Sequence, residues 1–445
     1  MKTTTQGENQ RLVALKRPHL SPIKHKLDMS SVATVILGGG QGSRLFPLTQ
    51  NSCKPSMLFG GRYRLIDVPI SNSLHAGITN IFVLTQFLSR SLHRHIFQAY
   101  RQDHIFPGSI EILSAEQRPD GQSDWFQGTA DAVRQNAHYL LETPAEYFLI
   151  LSGDQLYNID FEQLLLCAQQ QPEVDVWVAT LPVNAKDATR MGIMKINEDN
   201  HIIDFYEKPQ DPHLLERMKT PTSVLEKMVC STEENKQFLG SMGIYLFRRS
   251  ALFTLLKKDQ REDFGKHLIP SQVKKGGIGA FIHDGYWEDI GTIESFYYAN
   301  LELNQDKAPF SCHADTAPLY TAHSHLPGPK IVNAHIRSST ICEGSTIWAD
   351  EVTNSILGQR TLLKRGTVIR DSYIMGNSSS QSEPASIGEN CFIKKAIIDE
   401  NVTIGNNVRI VNRENYTTYD QEPIHVRDGI VVISKGATIP DNFIF

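Results

Sequence analysis

The chain has 445 residues, 40% hydrophobic and 21% charged, with 44 Lys and Arg against 49 Asp and Glu for a net charge of −5. That length exceeds one ordinary domain and allows a large buried core. The mild acidity, with no long basic stripe interleaved with aromatics, argues against a nucleic-acid partner, and no apolar run is long enough to span a bilayer.

Residues 1–30 carry Lys2, Arg11, Lys16, Arg17, Lys24 and Lys26 against Glu8 and Asp28. Transit peptides and flexible arms share that balance, and we read a flexible basic arm. The missing apolar h-region argues against a secretory signal. Six scattered cysteines (Cys53, Cys167, Cys230, Cys312, Cys342, Cys391) form no Cys-x-x-Cys pair. Their spacing argues against a zinc site or a disulfide scaffold and fits a reducing compartment.

Residues 31–303 alternate strand and helix patterns. Ala33–Leu37, Ile81–Leu84, Tyr147–Leu151 and Val174–Ala179 read as buried strands, with amphipathic helices over Ala130–Glu142 and Phe161–Gln171. This pattern predicts an α/β catalytic domain, a Rossmann-like, mostly parallel sheet with helices on both faces. Ligands of such folds bind beyond the carboxyl ends of the strands. One such end carries Leu37-Gly38-Gly39-Gly40-Gln41-Gly42, followed by Arg44 and Lys54; Asp154 follows another. The turn is neither a P-loop nor a dinucleotide fingerprint. Glycines that admit a phosphate to the backbone, plus two fixed cations, suit a polyphosphate whose charge must be neutralised during reaction.

Residues 304–330, rich in Pro, His, Ala and Ser, read as a linker. Beyond it, branched apolar residues recur every six: Ile341 and Ile347; Ile356, Leu362, Val368 and Ile374; Ile398, Ile404 and Ile410. Gly358, Gly388 and Gly405 each follow an apolar residue. The period predicts a coil of short parallel strands over 331–445, interrupted by a Ser-rich loop at Gly376–Ser386. It resembles the hexapeptide repeat of left-handed parallel β-helices.

The spacing from Leu37 to Pro55 resembles the signature of the sugar-nucleotide pyrophosphorylases, which join a nucleoside triphosphate to a sugar 1-phosphate. Leu151-Ser152-Gly153-Asp154 and Trp287-Glu288-Asp289-Ile290-Gly291-Thr292 are similar to the family's metal-binding segments. The resemblance implies Mg²⁺ on Asp154 and Asp289, an arrangement in which carboxylates and substrate phosphates share the ion. Tyr206-Glu207-Lys208-Pro209, Ser241-Met242-Gly243 and Met191-Gly192-Ile193 match segments around the sugar phosphate. They imply that Lys208 neutralises its phosphate, Glu207 bonds a sugar hydroxyl, and Ser241, Gly192 and Phe126 line the glucose. Asp124–Val133, Phe59–Asp67 and Leu84–Phe87 are similar to the branch that transfers adenylyl groups, the ADP-glucose pyrophosphorylases. That implies a nucleotide held by Leu37, Gly38, Gly39 and Gly40, with Gly128 and Thr129 against the base and Gln86 reading its edge.

The implied reaction joins ATP and α-D-glucose 1-phosphate into ADP-glucose and pyrophosphate, for glycogen or starch synthesis. Arg44 and Lys54 then act on the phosphates. The resemblance also implies a homotetramer controlled by anionic metabolites, in a bacterial cytoplasm or a plastid. Regulatory positions are mixed. Asn51 and Ser52 stand where enterobacterial members carry the Lys and Arg tied to fructose 1,6-bisphosphate. Glu400 replaces a Lys that plant members use for 3-phosphoglycerate, Lys435 matches a second, Gln41 departs from the usual Arg or small residue, and Phe126 replaces a Tyr. Three rival functions are another sugar nucleotidyltransferase, a non-catalytic regulatory subunit and a β-helix acyltransferase. The Trp125–Val133 run, the intact cations and carboxylates, and the short C-terminal domain without a coenzyme A motif weigh against them in turn.

Overall fold

The computed structural model describes residues 27–100, 108–116, 125–221, 236–313, 317–377 and 384–445. The N-terminal arm to residue 26, Asp124, Cys230 and residues 378–383 of the Ser-rich interruption lie outside them.

The catalytic region is built on one twisted sheet. Its main path runs Ile202–Glu207, Gly192–Ile196, Phe238–Arg248, Tyr147–Ser152, Val32–Leu37, Asn80–Thr85, Ser109–Ser114. The last four strands pair in parallel, as the alternating pattern predicts. The apolar runs of Val32–Leu37, Asn80–Thr85 and Tyr147–Ser152 fit burial on both faces, whereas the edge strand Ser109–Ser114 is mostly half-buried. The other half is mixed. Phe238–Arg248 runs antiparallel to Tyr147–Ser152, Gly192–Ile196 and Val176–Val183. The predicted helix over Ala130–Glu142 is two, Thr129–Gln135 and Ala137–Glu142, divided at Asn136. Asn136 turns its amide to the Ala132 carbonyl at 2.9 Å, a local bond that competes with helix continuation.

The described residues of 305–329 carry no strand or helix, yet several of them are docked. Tyr320 N donates to Ser71 Oγ at 2.9 Å, His75 Nε2 lies 2.7 Å from the Pro318 carbonyl, and Phe310 and Cys312 are buried.

The C-terminal region is a parallel β-coil. Thr346–Ile347, Thr361–Leu363, Ala385–Ile387, Thr403–Ile404 and Thr438–Ile439 stack along one face. Asn354, Asn390, Asn401 and Asn407 take left-handed backbone at its turns, which asparagine tolerates better than most residues. The six-residue reading needs a correction in register. Leu363 and Ile369 are fully buried in the coil, whereas Leu362 and Val368 are half-buried. The inward positions Ile347, Val352, Leu357, Leu363, Ile369 and Ile374 are separated by five or six residues, so a strict count of six drifts off the core face. The strand after the interruption starts at Ala385, so Ser386 belongs to it and not to a loop.

One face of the coil is buried on both sides. Leu357, Ile374, Ile398 and Ile433 point inward, while their neighbours Ile356, Tyr373, Ile397 and Val432 form an outward column against the catalytic core. All four outward residues are fully buried, each worth about 1.5–3 kcal/mol if otherwise exposed. Tyr373 Oη donates to the Leu58 carbonyl at 3.0 Å and accepts from Gly61 N at 3.2 Å. Gly61 adopts φ +77°, and a Cβ there would stand 2.7 Å from Cys342 Sγ and 3.1 Å from the Gly358 backbone. Gly61→Ala is therefore expected to cost about 2–4 kcal/mol from strain and overpacking. Thermal unfolding checks this; an unchanged melting temperature would mean that the boundary is not packed as described.

Candidate active site

Register brings the first cluster together. Leu37 pairs with Leu84 on one side and Ser152 on the other, so the glycine loop, Gln86 and Asp154 emerge at one edge of the sheet. Gln155–Tyr157 then pairs antiparallel with Trp287–Asp289, setting Asp289 opposite Gln155. Two carboxylates distant in sequence thereby converge. Lys54 Nζ lies 2.7 Å from Asp154 Oδ2 and 3.2 Å from Asp289 Oδ1. The Lys54 side chain is only 8% exposed. Burial alone would push its ammonium down, but the two carboxylates hold it above the ordinary lysine value. For Asp154, burial favours the neutral acid, and Lys54 together with Ser152 Oγ outweighs it and lowers the carboxyl. Arg44, exposed on the turn Ser43–Leu45, joins them. A Cβ on Gly291 would sit 3.2 Å from both Arg44 Nη2 and Asp289 Oδ2.

The donor set suits a divalent ion of the Mg²⁺ type. Among the described residues no group of three or more His, Cys, Asp or Glu could hold a metal alone. Mg²⁺ needs no such cage: one or two carboxylates plus substrate phosphates and waters complete its shell. Asp154 and Asp289, already converging on one cation, are the residues that would hold it. Bound there, it would neutralise phosphate charge as a Lewis acid.

Gln86, Gly128 and Thr129 are more engaged than expected. Gln86 Oε1 accepts from Phe126 N at 2.7 Å, and Nε2 lies 3.3 Å from the Gly39 and Phe126 carbonyls. Its amide braces the glycine loop in this state; reading a base edge would require those bonds to exchange. Thr129 Oγ1 donates to Asp263 Oδ2 at 3.2 Å and accepts from Phe264 N at 3.0 Å. Gly128 packs under the Glu262 carbonyl, which a Cβ would meet at 2.4 Å. Phe126 is buried, whereas Trp125 is exposed beside Phe87 with ring centroids 5.8 Å apart.

A second cluster lies on the antiparallel half of the sheet. Gly192 and Glu207 are register partners. A Cβ on Gly192 would stand 2.7 Å from Glu207 Oε2, so glycine leaves room for that carboxylate. Burial raises the Glu207 carboxyl; Lys208, 3.9 Å away, opposes the shift and Asp263 adds to it. Lys208 sits at φ +48°, uncommon for a non-glycine, with N bonded to the Met191 carbonyl at 3.0 Å and a side chain 54% exposed. Strain of this kind is often stored at functional sites. Ser241 begins a bulge in Phe238–Arg248, where the register with Val176–Val183 shifts and Gly243 N bonds Ser241 Oγ at 3.3 Å. Bulges re-aim side chains.

Asp263 links the clusters and escaped sequence reasoning. It caps the turn Phe264–Leu268, accepts from Thr129, and acts electrostatically on Glu207. The Asp-Phe-Gly turn was its sequence signal.

A family model described as nucleotidyl transferase matches residues 33–306. The chain belongs to the nucleotidyl transferase family. A second model, the GLGC left-handed parallel beta-helix domain, matches residues 324–444. A transferase domain followed by this β-helix is the architecture of the ADP-glucose pyrophosphorylase family. The transferase is an enzyme, and its reaction is of the sugar-1-phosphate nucleotidyl transfer type. No helix among its described residues is long and apolar enough to cross a membrane.

Proposed function

We propose that the protein transfers the adenylyl group of ATP to α-D-glucose 1-phosphate, giving ADP-glucose and pyrophosphate. The observation that supports this best is Lys54 held between Asp154 and Asp289 beside the glycine loop. A phosphate oxygen of the sugar phosphate attacks the α-phosphorus of ATP. The bond from that phosphorus to the β-phosphate bridge breaks, and pyrophosphate leaves. The attacking oxygen is already anionic, so no general base is needed. What the protein supplies is alignment and charge neutralisation.

Arg44 balances the departing pyrophosphate and Lys54 the phosphates in transfer. Leu37, Gly38, Gly39 and Gly40 receive the triphosphate, with Gly128, Thr129 and Gln86 around the base. Lys208 binds the sugar phosphate, and Glu207, Ser241, Gly192 and Phe126 line the sugar. The β-helix serves assembly, for which we propose a homotetramer, and the product feeds glucose storage in a cytoplasm or plastid.

A nucleotide panel tests the substrate. With glucose 1-phosphate fixed, kcat/KM for ATP is expected to exceed that for UTP, dTTP and GTP by about tenfold or more. An equal or better rate with another nucleotide would overturn the adenylyl assignment.

Control by anions should be weak. Neither Asn51 nor Ser52 offers a cation, and Lys435 is already paired to Glu400. Initial rates at subsaturating glucose 1-phosphate should respond to fructose 1,6-bisphosphate and 3-phosphoglycerate by less than the roughly 5–150-fold of ordinary allosteric coupling. Strong activation by either would show that other cations receive it.

A further inference from the structure

One carboxylate of the β-helix lies on a short path to the Lys54 turn. Glu400 follows the strand Phe392–Ile398 and is 9% exposed. Its Oε2 is ion-paired to Lys435 Nζ within the β-helix. Its Oε1 lies 3.8 Å from Arg64 Nη2 across the domain boundary. Arg64 in turn donates from Nη1 to the Ser56 carbonyl. Ser56 ends the turn Lys54–Ser56, which Met57 N closes on the Lys54 carbonyl at 3.1 Å. From Glu400 to the Lys54 backbone the path is one guanidinium and one helical turn.

The contact is enclosed. The side chains of Arg64 and Glu400 are 13% and 11% exposed, so solvent and salt screen them little. Burial and the Glu400 charge push the neighbouring Asp399 carboxyl up to about 7. A second ion pair at the same boundary, Arg62 to Glu343 at 3.2 Å, has no hydrogen bond to the Lys54 turn and provides an internal comparison.

We propose that Glu400 is a positioning residue for nucleotidyl transfer, a built-in anion that holds Arg64 against the Lys54 turn and so fixes the ammonium shared by Asp154 and Asp289. This rests on the reading of Lys54 as the group that meets the phosphates in transfer. The arrangement has a chemical consequence. Truncating Glu400 leaves Arg64 and Lys435 facing a space that a small carboxylate can refill.

The test compares Glu400→Ala, Glu400→Gln and Glu343→Gln in the full-length protein. Pyrophosphate release from ATP and glucose 1-phosphate is measured with and without sodium formate, beside melting temperature and backbone hydrogen exchange of residues 53–66. Both Glu400 variants are expected to lose about tenfold in kcat, as for a small displacement of a group at the reacting atoms, with KM for both substrates little changed. Exchange at 53–66 should quicken in both. Formate should restore rate and protection in Glu400→Ala but not in Glu400→Gln, whose amide fills the space. Glu343→Gln should lower the melting temperature without moving kcat. Unchanged kcat and exchange in the Glu400 variants, or a loss that follows melting temperature and resists formate, would overturn the proposal. An inactive unsubstituted enzyme would instead sink the substrate assignment, and the exchange comparison would still decide the role of Glu400.

Discussion

Asp154→Asn is expected to lower turnover by about 100-fold or more, on the order of 3 kcal/mol of transition-state stabilisation. The substitution keeps the shape and removes the charge. Asp154 is the nearer partner of Lys54, at 2.7 Å, and after the change only Asp289 at 3.2 Å balances that ammonium. It is also one of the two carboxylates able to hold Mg²⁺ against the phosphates. Both losses fall on charge developing during transfer, so kcat should fall more than binding of either substrate. Near-normal turnover at saturating Mg²⁺ would contradict the assignment. The pair also limits the pH profile. Asp154 stays ionised below the usual carboxylate range and Lys54 stays charged above the usual lysine value. A rate profile from about pH 6 to 9 should therefore show no step from this pair.

Lys208→Ala is expected to raise KM for glucose 1-phosphate by about 10–100-fold, the worth of a hydrogen bond to a charged group, and to leave KM for ATP nearly unchanged. Lys208 projects an ammonium that is half exposed, whereas Lys54 is buried. The left-handed backbone at φ +48° and the bond from its N to Met191 are available to alanine as well. The comparison therefore reads the ammonium and not the turn. Steady-state kinetics with each substrate varied in turn decide it. An equal rise for both substrates would place Lys208 outside the sugar-phosphate subsite.

Much of this was legible because the signals are local. A glycine turn after an apolar strand, cations at fixed spacing and carboxylates at strand ends all follow from short segments. The convergence of Asp154 with Asp289 was not a local signal; it depends on pairing of two three-residue strands. The β-helix showed its period but not its phase. Ile356-Leu357 and Tyr373-Ile374 are apolar on both positions because one faces the coil and the other the catalytic core. A count of apolar residues cannot separate those faces. The described residues of 305–329 carry no periodic signal, because their contacts, such as Tyr320 to Ser71, are hydrogen bonds to distant residues. The hydrogen bonds of Gln86 to Gly39 and Phe126 emerge only when three segments meet, so no single segment signals them.

Product identification by mass spectrometry tests adenylyl transfer to glucose 1-phosphate most directly. Enzyme, ATP, α-D-glucose 1-phosphate and Mg²⁺ are incubated, with Asp154→Asn as the blank. ADP-glucose and pyrophosphate are expected in equal amounts from the unsubstituted enzyme, and about 100-fold less of each from the variant over the same time. Another nucleotide sugar formed in preference when all nucleotides compete, or equal product from the variant, would contradict it.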